Sequence, residues 1–426
     1  MSTTSHSTSG VLSQPRLPTV APTSTTALSL RRLSYRRQQV RFHFTEEQQR
    51  LRDDVRAFIL QERTPELVNE LEWNEHQWGP AARAFVKKLG ASGWVAPTWP
   101  KKWGGLEASN MDRLIIAEEL SYFGVGPSFR GAGMAGPVIM HYGTEEQKEE
   151  WLPPIARGEI EFALGYTEPQ AGSDVAALDI RAVDDGDYFI INGMKTFNSA
   201  CHFADYHWLG ARTDPDAPKH RGVSLIIVDM KSPGITVRPL WTMAGTRTNE
   251  VYYDNVRVPK KNLVGQRGRG FSQMAQALDL ERMYPIGGLQ RSFEELVEYV
   301  RKANIDGKRL ADDQIVRRQL AEMAADLEVC RLLSFRLATI LDQGRVPNYE
   351  SSTLKLFLTE TSSRLSHVSM KILGPYGPLL RGSHRAVLDG IVAYHHRLSV
   401  IETIYGGSSE IQRNIIALRG LGLPRA

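Results

Sequence analysis

Residues 166–174 read YTEPQAGSD and follow a short apolar run at residues 162–164. They open a segment rich in strand-forming residues and turn dipeptides, so the pattern predicts a strand that ends in a loop here. Thr167 and Ser173 offer hydroxyl groups to the edge of a ligand, and Gly172 lets main-chain N–H groups approach it closely. Such a loop suits a flat heteroaromatic ring that carries phosphates, although any loop rich in Pro, Gly and Ser has a similar composition.

A chain of 426 residues is too long for one hydrophobic core, which indicates two or three domains. Its content of 42% hydrophobic and 23% charged residues is typical of a soluble globular protein. Cys201 and Cys330 are its only cysteines, so we expect no disulfide framework. No apolar run approaches the roughly 20 residues that span a bilayer, so we expect no membrane segment.

The first 41 residues differ in charge from the rest of the chain, because they hold six arginines and no acidic residue. Subtracting these six charges from the formal net charge of +4 leaves −2 for the remainder. A folded body near neutrality argues against nucleic-acid binding, which needs a basic face. The Ser, Thr and Pro content of residues 1–41 predicts disorder, and their Arg and Ser content is also typical of a mitochondrial transit peptide. We therefore expect a cytoplasmic protein, with the mitochondrial matrix as the alternative if this tail is a targeting segment.

Residues 42–160 have the pattern of an α-helical domain. Thr45 and Gln48 form a capping-box signature at the start of the first helix, and apolar residues then recur at helical spacing. Further helical patterns lie at residues 81–89, 111–123 and 145–155. The segment 94–105 reads as a loop, and we interpret its tryptophans as packing residues that could also line a ligand cleft.

Between residues 161 and 269 the apolar period changes from 3.6 to 2, which predicts a β domain built as a barrel or sandwich. Asp185-Gly186 and Asn192-Gly193 are both typical of hairpin turns. Strands are predicted at residues 223–228, 235–237 and 251–258. From residue 270 to 426 the helical period returns, and the pattern predicts an antiparallel four-helix bundle. Its predicted helices cover residues 271–302, 312–343, 351–373 and 384–418. The fold class is therefore α+β.

Five blocks of this sequence resemble, in order and spacing, the acyl-CoA dehydrogenase family. The resemblance covers about residues 42–425, and the blocks are TEPQAGSD (167–174), NGMKTFNSA (192–200), RGVSLIIVDM (221–230), NEVYYDNVRVP (249–259) and YGGSSEIQRNIIALRGLGLPR (405–425). It implies a homotetramer or heterotetramer that binds FAD between the middle and last domains. It also implies oxidation of an acyl-CoA thioester to the trans-2-enoyl thioester, with electrons passed to an electron-transfer flavoprotein.

The catalytic base is the main departure from the family pattern. Many members have a Glu directly after the Tyr of the last block, but this chain has Gly406 there, and glycine cannot accept a proton. Isovaleryl-like and long-chain members carry the base in a Leu-Asp-Leu-Glu-Arg run, which this chain has at residues 278–282. The resemblance therefore makes Glu281 the candidate base, and its apolar neighbours would desolvate it and strengthen it as a base. The alternative is that Glu281 and Arg282 are ordinary surface charges.

The resemblance also identifies candidate flavin contacts. Thr167 and the backbone from Leu164 to Ser173 match the loop that contacts the isoalloxazine ring. Phe197 stands where a Trp usually packs on the ring, and Ser199 stands where a Thr usually bonds N5. Positions that match contacts to the rest of the dinucleotide are Gln314, Lys371, Gly374, Ser408 and Glu410. Ala303 replaces a usual flavin-binding Arg, and Glu410 replaces a commoner Gln, which predicts weaker FAD binding or fewer FAD sites per oligomer.

Matching positions for the acyl-CoA are Ser173, Asp279 and Arg282, and the Gly406 amide matches a donor to the thioester oxygen. Because Gly406 has no side chain and the candidate base lies on a helix, the pocket is wide next to the α-carbon of the substrate. We therefore expect a branched, cyclic or otherwise bulky acyl group. Two alternatives keep the fold: a subunit of a mixed tetramer whose partner supplies the base or the flavin, and a flavin oxidase or monooxygenase. Acyl carrier protein also remains an alternative to CoA as the thioester carrier. The histidine spacings favour no metal site.

Overall fold

The computed structural model describes residues 43–73, 78–127, 129–274, 284–305 and 307–425. Helices come first, strands follow and helices return, in the order that the sequence predicts. The helices are α1 (Glu46–Glu62), α2 (Pro65–Val68), α3 (Pro80–Ala91), α4 (Asn110–Tyr122), α5 (Gly136–Tyr142), α6 (Glu145–Ala156), α7 (Gly287–Lys302), α8 (Gln314–Asp342), α9 (Tyr349–Leu373), α10 (Ile391–Glu402) and α11 (Ser409–Ile415). The strands are β1 (Phe162–Gly165), β2 (Arg181–Asp185), β3 (Tyr188–Lys195), β4 (Tyr206–Arg212), β5 (Val223–Asp229), β6 (Ile235–Trp241), β7 (Arg247–Pro259), β8 (Leu263–Val264), β9 (Asn304–Ile305) and β10 (Lys308–Arg309).

The first helix begins as the sequence predicts, with a complete capping box. The Gln48 N–H donates to the Thr45 hydroxyl at 3.2 Å, and the Gln48 side chain accepts the Thr45 N–H at 3.1 Å. These bonds satisfy donors that the first helical turn leaves free. Helices α3, α4 and α6 confirm the helical patterns predicted for this part of the chain.

The sheet runs in the order β6-β7-β3-β2-β4-β5-β8, and β1 also pairs with β4 in parallel. The predicted turn at Asp185-Gly186 is confirmed, because it joins the antiparallel strands β2 and β3. The predicted turn at Asn192-Gly193 is wrong. Both residues lie inside β3, where the register with β7 shifts between Ile191 and Gly193. A bulge also needs an unusual backbone conformation, and Gly193 supplies a φ of +135°.

The last predicted helix, over residues 384–418, is also wrong as one element. The chain forms α10 and α11 instead, and Gly406 and Gly407 lie between them with φ values of +63° and +92°. An α-helix cannot continue through two left-handed residues, so the apolar period alone overestimated its length. Helices α8 and α9 agree closely with the predicted segments 312–343 and 351–373.

Helix α4 ties the first helical region to the last. The N–H of Ile286 donates to the Glu118 carboxylate at 3.0 Å, and the N–H of Gly288 donates to the Ser121 hydroxyl at 3.0 Å. These groups on α4 cap the start of α7, whose first N–H groups have no partner within their own helix. Burial raises the pKa of Glu118 to about 7, since the cost of desolvation exceeds the stabilisation from these bonds. Ile286, directly before α7, is thus anchored to α4.

No helix within the described ranges is both long and apolar enough to cross a membrane.

Candidate active site

The loop at residues 166–174 is braced from beneath by a buried ion pair. Lys195, the last residue of β3, donates to Glu168 at 2.8 Å and to the Tyr166 carbonyl at 3.0 Å. The Lys195 side chain is fully buried and that of Glu168 is 2% exposed. Burial lowers the pKa of Lys195 to about 8, and Glu168 opposes that shift by favouring the charged form.

The same carboxylate organises the far end of the loop. Glu168 accepts the N–H groups of Asp179 and Ile180 at 2.6 and 3.0 Å. One buried acid therefore holds two separated stretches of backbone as well as the lysine. Both residues of the pair lie in the motifs that carry the family resemblance, but the sequence alone did not show that they meet, because a lysine in a strand is usually solvated.

A flat aromatic face lies next to this loop. Phe197 has a left-handed φ of +55° and its side chain is 59% exposed, which is unusual for a large apolar residue. The flanking backbone is fixed: the Thr196 N–H donates to the Thr167 carbonyl at 2.9 Å, and the Asn198 N–H donates to the Asn249 carbonyl at 2.9 Å. The structure therefore brings Thr167 and Phe197 together from two separate motifs.

The motifs that contain Phe197 and Thr167 also carry serine hydroxyl groups and a glycine with open space around it. The Ser199 hydroxyl is half-buried and donates to the Thr248 hydroxyl at 3.3 Å. Ser173 is exposed, and a Cβ added at Gly172 would meet nothing within 4 Å. Leu164 lies at the end of β1, half-buried beneath the loop. An exposed ring held rigidly beside hydroxyl groups fits the isoalloxazine of FAD, which needs a flat stacking partner and polar contacts at its edge.

The predicted dinucleotide contacts lie on the C-terminal helices. Gln314 is the first residue of α8, while Lys371 and Gly374 lie at the end of α9; all three are exposed. Ser408 is the N-cap of α11, and Glu410 lies exposed in its first turn. No hydrogen bond or ion pair between described residues joins either group to the Phe197 face. The role of these residues in binding the dinucleotide stays a prediction.

The Gly406 loop is held by a residue that the sequence did not single out. The buried Gln412 amide donates to the carbonyls of Gly406 and Gly407 at 3.1 and 3.0 Å. A Cβ added at Gly406 would lie 3.0 Å from the Tyr284 hydroxyl. Glycine is therefore required at position 406 for two reasons, the positive φ and the close approach of the Tyr284 hydroxyl.

Tyr284 also borders a large cleft of about 580 Å³ in the N-terminal helical region. Trp94 and Trp99 from the predicted loop lie on its wall, together with one face of α4. Pro285 closes the same wall beside Tyr284. The cleft is largely apolar and large enough for a sizeable ligand. Trp94 and Trp99 thus pack and also line a cleft, while the binding of a ligand there stays a prediction.

A second cavity of about 250 Å³ shares Tyr284 and Pro285 with the cleft and also contacts Tyr405 and Glu402. Burial raises the pKa of Glu402. This carboxyl group is the one acid among the described residues lining either space, and the sequence analysis did not identify it.

Three predicted residues fall outside the described residues: the candidate base Glu281 and the candidate substrate contacts Asp279 and Arg282. The first described residue after them is Tyr284, three positions beyond Glu281 in the sequence. For metals, the described side chains contain no group of three or more His, Cys, Asp or Glu able to hold an ion.

Comparison with known proteins accounts for nearly the whole of this architecture. Residues 45–159, 163–256 and 268–421 match the N-terminal, middle and C-terminal domain models of acyl-CoA dehydrogenase. Acyl-CoA dehydrogenase FadE26 of Mycobacterium tuberculosis (strain ATCC 25618 / H37Rv) is 38% identical over 401 residues, covering 91% of this chain and 100% of that protein.

Two solved structures are similarly close. The ChsE4-ChsE5 complex from Mycobacterium tuberculosis aligns with a TM-score of 0.84 at 37% identity, covering 91% of this chain and 100% of that one. The Tcur3481-Tcur3483 steroid ACAD aligns with a TM-score of 0.83 at 35% identity, covering 91% and 100%. The chain therefore belongs to the acyl-CoA dehydrogenase family of FAD-dependent oxidoreductases, whose members typically form tetramers.

Proposed function

We propose that this protein oxidises the Cα–Cβ bond of a bulky acyl-CoA thioester, and that it yields the trans-2-enoyl-CoA. The observation that carries this proposal is the apolar cleft of about 580 Å³, which Tyr284 and Pro285 border directly after the Glu281 segment in the sequence. An acyl group in this cleft would present its first carbons towards Tyr284 and Pro285. FAD supplies the acceptor for the hydride that leaves the β-carbon.

The chain's own residues have three tasks in this reaction. The Glu281 carboxylate takes the α-proton, and the Gly406 N–H donates to the thioester oxygen, where negative charge develops. The loop at residues 166–174, with Phe197 and Ser199, holds the flavin ring against the reacting bond. Gln412 acts through Gly406, because its two hydrogen bonds fix the carbonyls of that loop.

The proposed preference for a bulky acyl group rests on the open space at Gly406 and in the cleft. No side chain projects from Gly406, and the cleft beyond Tyr284 has apolar walls. The name of one similar structure, a steroid ACAD, supports a cyclic acyl group. We therefore propose a ring-bearing or branched thioester as the substrate, with CoA as its carrier.

The test is an anaerobic titration of the purified yellow protein with straight, branched and ring-bearing acyl-CoA thioesters. Loss of flavin absorbance should be fastest with the bulky members. Glu281→Gln should slow it by about 10²–10⁴-fold, the usual contribution of a positioned base. Glu402→Gln is the matched comparison, because Glu402 is the one acid among the described residues lining the two cavities that Tyr284 borders. Unchanged bleaching in the Glu281 variant, with a loss in the Glu402 variant, would assign the base to Glu402 instead.

A second candidate is that the chain works as one of two different subunits. The two-protein name of the ChsE4-ChsE5 complex supports this possibility, as do Ala303 and Glu410 at positions where cationic or amide flavin contacts are usual. The chain purified alone would then hold fewer than one FAD per subunit and would gain flavin on addition of its partner. Light scattering with flavin absorbance decides this, since one FAD per chain in a homotetramer contradicts it.

We also propose an electron-transfer flavoprotein as the electron acceptor. Mixing the reduced protein with such a flavoprotein should reoxidise it faster than dioxygen does. Faster reoxidation by dioxygen would favour the oxidase or monooxygenase alternative.

A further inference from the structure

One face of α4 lines the large cleft and carries a single charged residue. Arg113, Ile116, Ala117, Leu120 and Ser121 recur at helical spacing along this face, and all of them border the cleft. A second arginine, Arg130, borders the cleft from the segment before α5. Among the described residues no aspartate or glutamate lines it. The cleft is thus apolar and locally cationic.

The two arginines have different surroundings. Arg130 lies near the buried Glu161 and lowers the pKa of that carboxyl group, which desolvation raises to about 7. Arg113 has no hydrogen-bonded or ion-paired partner among the described residues. Burial lowers its pKa, and no described acid opposes that change. Among the described arginines that line the cleft, Arg113 is therefore the one whose charge no described acid offsets.

Arg113 is half-buried, so its guanidinium loses part of its hydration while no described acid supplies a counter-charge, and this costs free energy. An ionisable group whose pKa is perturbed and which lies in a cleft is a candidate ligand-binding group. A planar guanidinium suits a carboxylate best, since two parallel N–H groups can donate to its two oxygens. A neutral carbonyl group would satisfy hydrogen bonds without balancing the charge.

We infer that the acyl group carries a carboxylate at the end remote from the thioester, and that Arg113 binds it. This inference rests on the proposed function, because it assumes that the cleft receives the acyl group. Arg113 precedes Ser121 by two turns of α4, or about 12 Å along the helix axis. Ser121 borders the cleft together with Tyr284, so Arg113 lies away from the predicted site of bond oxidation. The spacing matches an acyl group with a ring between its two ends.

The experiment uses matched thioesters that differ only at the far end. One pair is cyclohexylpropanoyl-CoA and the same thioester with a carboxylate on the far ring carbon. A second pair is octanoyl-CoA and the equivalent thioester with a terminal carboxylate. The wild-type protein should prefer the carboxylate member of at least one pair by tenfold or more in kcat/KM.

Arg113→Met should abolish this preference mainly through KM, while Arg113→Lys should restore part of it by returning the charge. The unsubstituted thioesters should react as well as before. Arg318→Met is the control, since Arg318 is exposed on α8 and its one ion pair among the described residues is with its helical neighbour Glu322. It should change neither preference nor rate.

Several results would overturn the inference. An equal loss for all CoA thioesters in Arg113→Met would place Arg113 on the CoA moiety. A lowered Tm with unchanged preference would make it a structural residue. Wild-type protein that bleaches with the unsubstituted thioesters and rejects the carboxylates would refute this inference and leave the proposed function intact. Bleaching with none of the four would count against both.

Discussion

The two sides of the candidate site are held by opposite means. On the proposed flavin side, the loop at residues 166–174 rests on the buried pair of Lys195 and Glu168. On the proposed substrate side, the loop at Gly406 adopts positive φ values that glycine permits, and the neutral amide of Gln412 donates hydrogen bonds to its carbonyls. The difference shows that a loop can be held in place by a buried ion pair or by glycine and side-chain amide hydrogen bonds. Substitutions should therefore disrupt the two loops in different ways.

The largest expected effect is on the flavin side. Lys195→Met leaves the Glu168 carboxylate buried without its counter-charge, which should cost about 3–5 kcal/mol of unfolding free energy and release FAD. Chemical denaturation and flavin absorbance after gel filtration would measure both. Lys219→Met is the matched control, because Lys219 pairs with Asp174 of the same loop but is 47% exposed. That change should cost no more than about 1 kcal/mol. Equal costs for the two lysines would refute the proposed role of the buried pair.

The next largest effect is expected for a substitution of Gly406, on the proposed substrate side. Gly406→Ala imposes a side chain at a φ of +63° and within 3.0 Å of the Tyr284 hydroxyl, so we expect about 1–3 kcal/mol of strain and a fall in kcat/KM of tenfold or more. Steady-state kinetics would show it, and adding Tyr284→Phe should recover part of the loss. Gly186→Ala shares the strain, with a φ of +65°, but its Cβ meets nothing within 4 Å. It should lower stability and spare activity; a similar fall in activity would argue against a steric role for Tyr284.

A smaller effect tests the stacking face. Phe197→Ala removes the ring that is 59% exposed beside Ser199, and the loss of about 0.5–1.5 kcal/mol should weaken FAD binding up to roughly tenfold. Fluorescence titration of the apoprotein with FAD measures this directly. Phe197→Trp should bind at least as tightly as the wild type. Unchanged affinity in the alanine variant would mean that the ring does not contact the flavin.

The last prediction concerns two buried acids whose effect on the free energy of unfolding accumulates across a range of pH. Glu161 accepts the Phe162 N–H at the start of β1, and Glu118 accepts the Ile286 N–H before α7. Burial raises the pKa of each to about 7. Between about pH 4.5 and 7 the folded protein therefore retains protons that the unfolded chain has released, so the stability that these groups contribute is full below that window and lost as pH rises through it.

Glu161→Gln and Glu118→Gln should each reduce this decline by at most about 1.4 kcal/mol per pH unit. Urea denaturation at several pH values, with the double variant as a control for additivity, tests the expectation. An unchanged slope in both variants would show that the two carboxyl groups ionise normally in the folded protein.

The sequence predicted the architecture well where the signal is local. Thr45 and Gln48 marked a helix start, and apolar periodicity located α8 and α9, because capping and amphipathic spacing involve residues a few positions apart. It failed where one pattern permits two structures. Asn192-Gly193 suits a turn or a bulge, and the period over residues 384–418 did not reveal the break at Gly406.

For the candidate site, the sequence by itself determined which motifs and residue types are present, including the glycine at 406 and the flavin-side loop. Only the tertiary structure decided that Lys195 meets Glu168, that Tyr284 approaches Gly406, and that Arg113 faces a cleft without a described counter-charge. The physical reason is that burial and pairing depend on partners far apart in the chain. A charged side chain can be solvated, paired or ligand-binding, and its own sequence neighbours do not decide among these.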